Sequence, residues 1–308
     1  MTPTASTRTV LRRVVLAFCL SISAGCLTIP QDAGPIASAP VFRDPLAMRG
    51  NVPQPEPNPL ASFSDTALRS IDDSLLLMMR GDRVLAWDDW ARANVRDGDI
   101  VFLQSRSNWM WGFIELSRVT QDITASSYTH VALAAIEDGN VVLYDIDTPG
   151  PGRTPFGKMM ADSQTAALAV KRLRPEFQPY VPKAIQYCRE VYAARLPFDK
   201  QLSLDNDQLY CAELIEVAFR YSGLELSQPT RWKDLPGLDK HPIAVSTIAW
   251  VNNTQPSESV VVPGNEQIGI WASPGLELVL PLTDARQPPT ENGLRESQPT
   301  ERELQSIE

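Results

Sequence analysis

A chain of 308 residues with 43% hydrophobic and 7% aromatic content can bury one sizeable core, while its 26 prolines are too many for all of it to be packed. The formal charge is −9, and because the first 25 residues carry three Arg and no acid, a chain starting at Cys26 would hold 25 basic against 37 acidic residues, or −12. That balance argues against nucleic acid and anionic lipid surfaces as electrostatic partners, and one main domain with tails, acting as a monomer, is expected.

Arg8, Arg12 and Arg13 precede an almost unbroken apolar run from Val14 to Ile22, and Ser23-Ala24-Gly25-Cys26 follows. The run is too short to span a bilayer and ends in small residues, so residues 1–25 read as a signal peptide and the protein as exported. Ala-Gly-Cys resembles a bacterial lipoprotein processing site, which would make Cys26 the lipidated first residue and place the protein in the cell envelope, facing the periplasm. Ordinary cleavage near Gly25 is the alternative. No later segment is long and apolar enough to span a membrane, so attachment is expected only through the N-terminal lipid. Residues 26–63, with Pro53, Pro55, Pro57 and Pro59 at alternate positions, read as an extended tether. Cys19 leaves with the signal and Cys26 takes the lipid, so Cys188 and Cys211 remain as two thiols or one disulfide.

The main domain is expected over residues 64–282. Ser64-Asp65 precedes Leu68, Ile71, Leu75, Leu76 and Met79 at helical spacing, which predicts a helix ending near Gly81-Asp82, and Trp87 to Val95 a second, short one. Asp97-Gly98-Asp99 is a turn leading into the strand Ile100-Val101-Phe102-Leu103. The next stretch, with Trp109, Trp111 and Phe113, is a helix or a substrate-facing loop. Tyr128 to Ile136, Asp138-Gly139-Asn140 and Val141 to Ile146 form a hairpin. Pro149-Gly150-Pro151-Gly152 breaks the chain, and Ala166 to Leu173 gives another strand. Helices follow from about Pro182 to Arg195 and from about Leu209 to Tyr221, the latter closed by Gly223. Val260-Val261-Val262 and Leu276 to Leu280 read as edge strands, and residues 283–308 as a disordered polar tail. The fold class is α+β, a small antiparallel sheet packed against helices.

Cys211 falls in the first turn of the last predicted helix, behind the capping candidates Asp205-Asn206-Asp207, where the helix dipole and free N–H groups favour a thiolate. Leu214, Ile215, Ala218 and Phe219 continue its face, so spacing alone equally describes a buried core thiol. His130 begins a strand and can face a helix start. His241, between Lys240 and Pro242, reads as surface. A Cys188–Cys211 disulfide would abolish any catalytic role.

Four islands in order, Gly98-Asp99-Ile100-Val101-Phe102, Tyr128-Thr129-His130-Val131-Ala132-Leu133, Leu196-Pro197-Phe198-Asp199 and Tyr210-Cys211-Ala212-Glu213-Leu214-Ile215, resemble the circularly permuted branch of the NlpC/P60 papain-like superfamily, its YiiX/YebB-like subgroup above all. There the strand His precedes the helix Cys, as here. The resemblance implies Cys211 as nucleophile, His130 as base, and a third polar residue on the following strand. Asp145 lines up with that position, one methylene shorter than the usual Glu; a slip of one residue would put Tyr144 there instead. Tyr128 and Tyr210 are candidates for the cleft wall, although packing explains them equally. No metal or organic cofactor is implied. The expected activity is that of a cysteine hydrolase, an amidase or endopeptidase acting on peptidoglycan peptides. The alternatives are an acyl ester, thioester or lipid amide as substrate, or a non-enzymatic binding module.

Overall fold

The computed structural model describes residues 42, 44–48, 80–105, 108–109, 114–148, 150–162, 164–241 and 259–289, all within one unit, Pro40–Glu308. The signal peptide, Cys26, most of the tether, the helix expected from Ser64, the side chains of Trp109, Trp111 and Phe113, and the tail beyond 289 lie outside the described residues.

Six antiparallel strands make the main sheet in the order β10-β7-β1-β4-β5-β6. They are β1 (Ile100–Ser105), β4 (His130–Glu137), β5 (Asn140–Asp147), β6 (Gly150–Pro155), β7 (Thr165–Leu173) and β10 (Leu276–Asp284), with β2 (Asn108–Trp109), β3 (Ile114–Glu115), β8 (Thr230–Arg231) and β9 (Ser259–Val260) as short pairs. Both faces are covered, which explains why the inner strands read as unbroken apolar runs rather than alternating ones. One face, with Phe102, Val131, Leu133 and Tyr144, packs on helices α4 (Val181–Ala194) and α5 (Cys211–Ser222). The other, with Val101, Ala132, Leu143 and Val170, packs on α1 (80–94) and on α3 (Phe156–Ala161). Helix α2 (Leu116–Thr124) follows β3.

The hairpin, the β7 strand and the two late helices stand where the sequence puts them. Asp138 (φ 50°) and Gly139 (φ 76°) make the two-residue hairpin turn, and Gly223 (φ 100°) closes α5. Four expectations differ. Gly81 and Asp82 lie within helix α1 rather than ending a helix, and α1 takes in the short helix expected from Trp87, because Val84, Trp87 and Ala91 are buried on one face. The Pro-Gly stretch is not a break: Gly150–Pro155 forms β6, and two prolines fit there because the strand lies at the sheet edge. The main domain extends past 282, since β10 reaches Asp284 and the Ala285 carbonyl accepts a hydrogen bond from the buried Trp87 Nε1 at 2.9 Å. Part of the expected tether is docked: Phe42 and Leu46 pack on the core, and Asp44 Oδ1 accepts from Tyr187 Oη at 3.0 Å.

The turn before β1 carries more than turn chemistry. Asp99 is fully buried and is gripped by Arg172 through Nε and Nη2, each at 2.7 Å, and by the Arg96 N–H at 2.8 Å. This fork ties β1 to β7 beside the loop from α1.

Candidate active site

Cys211 is the first residue of α5. Tyr210, extended at φ −114° and ψ 170°, is the cap residue and offers no side-chain bond to the first turn. The expected caps at Asp205-Asn206-Asp207 stand too far back in the chain: Asn206 Oδ1 accepts the Gln208 N–H at 2.8 Å in a local turn instead. What ties the helix start is Glu213, whose carboxylate accepts the Tyr210 N–H from three residues along, one half of a capping box. Glu213 is almost wholly buried, and its Oε2 is without a hydrogen-bond partner. Burial first, then the charge of the fully buried Asp199, pushes this carboxyl well above the usual range. Asp199 in turn accepts the N–H groups of Gln201 and Ser203, both at 2.7 Å, and so shapes the loop that brings Phe198, Lys200 and Leu202 to the cleft.

His130 is the first residue of β4 and Asp145 the sixth of β5. Leu133 pairs with Tyr144, so continuing the ladder sets Asp145 opposite Ala132 and diagonal to His130 on the same face. The result is a contact of 2.9 Å between His130 Nε2 and Asp145 Oδ2. Tyr144 points to the other face, where its hydroxyl donates to Glu137 Oε1 at 2.7 Å, and it does not meet His130. Cys211 hydrogen-bonds the His130 ring. With Nε2 engaged by Asp145, Nδ1 is the nitrogen left for the sulfur. Burial pulls the imidazolium down, yet the Cys211 sulfur and the Asp145 carboxylate together outweigh it and hold His130 well above its ordinary value.

The three side chains open onto a cleft of about 610 Å³. Its lining mixes polar residues, among them Ser105, Thr129, Gln164 and Lys200, with apolar ones, among them Phe198, Leu202, Trp232 and Val260. Tyr210 lines the cleft, and its hydroxyl accepts the Val261 N–H at 2.7 Å. Tyr128 does not: it is buried against Trp271 (4.6 Å between ring centroids) and Phe102 (5.4 Å), so the packing account is the right one for it.

Cys188 and Cys211 are both free thiols, which removes the disulfide alternative. Cys188 is buried in the core under α4, and burial pushes its thiol far up. His241 is not simply solvated, since its Nε2 meets Asp122 Oδ2 of α2 at 2.7 Å. Among the cleft residues, Trp232 and Leu235 carried no signal in the sequence, and Val260-Val261-Val262 read only as an edge strand. The Leu196-Asp199 island was the one usable pointer to the loop wall.

A strand-borne His–Asp pair meeting a thiol at a helix start, with the His earlier in the chain, is the arrangement of a papain-like cysteine hydrolase in permuted order. Residues 94–236 match the sequence model of a family described as permuted papain-like amidase enzyme, YaeF/YiiX, C92 family. Among solved structures, the chain is similar to the metalloprotein yiiX of Escherichia coli O157:H7, with 23% sequence identity, 60% of this chain and 96% of that chain covered, and a TM-score of 0.48. No curated protein matches. As to a metal, the described residues hold no group of three or more His, Cys, Asp or Glu arranged to bind one.

Proposed function

We propose that the protein is an exported, membrane-anchored cysteine amidase that cleaves amide bonds of peptidoglycan peptides, with Cys211 as nucleophile, His130 as general base and acid, and Asp145 as its orienting partner. The observation that carries this reading is the line Cys211–His130–Asp145, with the 2.9 Å contact at its far end, at the mouth of a sizeable cleft. The peptidoglycan substrate, the export and the anchor rest on the N-terminal sequence and on the resemblance.

The chemistry follows from the geometry. His130 Nδ1 takes the proton from Cys211 Sγ, and the sulfur attacks the amide carbonyl carbon, forming a C–S bond and an oxyanion. The backbone N–H groups at the start of α5, which the cap residue's side chain leaves open, face the developing charge. Collapse breaks the C–N bond as the imidazolium hands its proton to the leaving nitrogen. Water, deprotonated by His130, then attacks the thioester, and the acid leaves as the thiol re-forms. Asp145 holds the ring in one orientation and stabilises its charged form throughout.

The apolar residues of the cleft, Phe198, Leu202, Trp232 and Val260 among them, favour a second reading in which the acyl group is a hydrocarbon chain and the substrate an ester, thioester or lipid amide. Soluble protein incubated with muropeptides and, separately, with a panel of N-acyl amides and acyl esters separates the two by mass spectrometry. Cleavage of muropeptides that falls to background in Cys211→Ala supports the first; acyl substrates cleaved in the same Cys211-dependent way with muropeptides untouched support the second. Cleavage that survives Cys211→Ala would falsify both.

A further inference from the structure

Beside Asp145, on the edge strand β6, stands Gly152, its direct cross-strand partner. The residue does not adopt a left-handed φ, so nothing in its backbone conformation calls for glycine. What calls for it is space. A Cβ built there would overlap Asp145 Oδ1 far inside any real carbon–oxygen contact and would lie 3.3 Å from Asp145 Cγ, with Thr154 Oγ1 at 3.7 Å on the next residue of that face. The Asp145 carboxylate therefore reaches across the ladder into the volume that a side chain at 152 would fill. It has to lie that way because His130 is its diagonal neighbour rather than the residue opposite, and the short Asp side chain spans that diagonal only along a restricted path.

We infer that Gly152 is a positioning residue for the proposed catalytic site: by having no side chain it leaves Asp145 the room to meet His130 Nε2. The inference rests on the reading of Asp145 as the partner of His130. Gly152 touches neither substrate nor reacting atoms, and its influence is carried wholly by the carboxylate. A Cβ at 152 moves that carboxylate aside, and a displacement of about 1 Å in such a constellation can cost on the order of a hundredfold in rate. The other glycine of the strand behaves differently: a Cβ on Gly150 would meet only the Leu196 carbonyl at 3.4 Å, an ordinary contact.

The chain contains two histidines, so the His130 ring can be followed by NMR in the full protein with labelled histidine, and His130→Gln assigns its signals. In the wild type, His130 is expected to titrate well above an ordinary histidine. Gly152→Ala is expected to bring that midpoint down by about one unit, as loss of a neighbouring carboxylate charge does. Asp145→Asn should produce the same fall, Gly152→Ala added to Asp145→Asn no further fall, and Gly150→Ala none. A wild-type midpoint in the ordinary range sinks the reading of the site itself. A raised wild-type midpoint that Gly152→Ala leaves in place, or falls that add in the double variant, overturns the role of Gly152 alone. Should Gly152→Ala melt early, Asp145→Ala in the same chain removes the overlapping atoms and is expected to restore the melting temperature; no restoration overturns the inference as well.

Discussion

His130 is held charged by two neighbours that it would lack in the unfolded chain, and this sets the direction of its pH dependence. The acid that protonates the leaving nitrogen is the imidazolium, and its folded value lies well above the ordinary one of about 6.5. Activity therefore persists through neutral pH and is lost as pH rises through that raised value. Asp145→Asn removes one of the raising influences, so the alkaline limb of kcat/KM is expected to move to lower pH, which a pH–rate profile reads directly. Glu213 is likewise raised, and its titration bears on stability. Its folded value is raised above that of the unfolded chain, so in the window between the two the folded state binds the extra proton and stability falls as pH rises. Glu213→Gln keeps an acceptor for the Tyr210 N–H without the charge. Its urea midpoint is expected to exceed that of the wild type by a margin that widens as pH climbs above about 4.3, the unfolded glutamate value. A margin independent of pH would contradict the buried-acid account.

At the scale of elements, the site depends on how β1, β4, β5 and β7 are locked together. The Asp99–Arg172 fork is the least replaceable lock, because Asp99 has no solvent to fall back on. Arg172→Met is expected to cost about 3–5 kcal/mol, the usual penalty for leaving a buried charge without its partner, read as a lowered urea midpoint. The sequence made some of this legible. The Asp138-Gly139 turn and the runs around it fix the hairpin and, through its register, decide between Asp145 and Tyr144 once the ladder is seen. The helix at Cys211 was legible from its apolar face and Gly223. The Gly150–Pro155 strand was not, because an edge strand needs no apolar alternation and tolerates proline. Nor was Asp99, since a charged residue at the end of an Asp-Gly turn reads as solvated unless its partner 73 residues on is known. Tyr128 and Tyr210 look alike in sequence, and only the packing of Trp271 against one and the Val261 N–H on the other separates a core ring from a cleft wall.

For the whole molecule, the segment around Phe42 to Met48 is more than spacer. Phe42 lies against the Arg220 guanidinium of α5 at 4.1 Å, and Asp44 meets Tyr187 of α4, so this segment is held against both main helices. Among the described residues no helix is long and apolar enough to cross a membrane. In our proposal the anchor is the lipid on Cys26, and Cys26→Ser is expected to move the protein from the membrane fraction to the soluble envelope fraction; an unchanged distribution would count against the lipid anchor. The central claim is that Cys211, and not the equally free Cys188, is the reactive thiol because His130 stands beside it. Alkylation by iodoacetamide at neutral pH, mapped by peptide mass spectrometry on the folded protein, tests this without a known substrate. The account predicts fast labelling of Cys211 that drops in His130→Ala, with Cys188 unlabelled. Labelling of Cys211 no faster than that of a cysteine in the unfolded chain, or unaffected by His130→Ala, would contradict it.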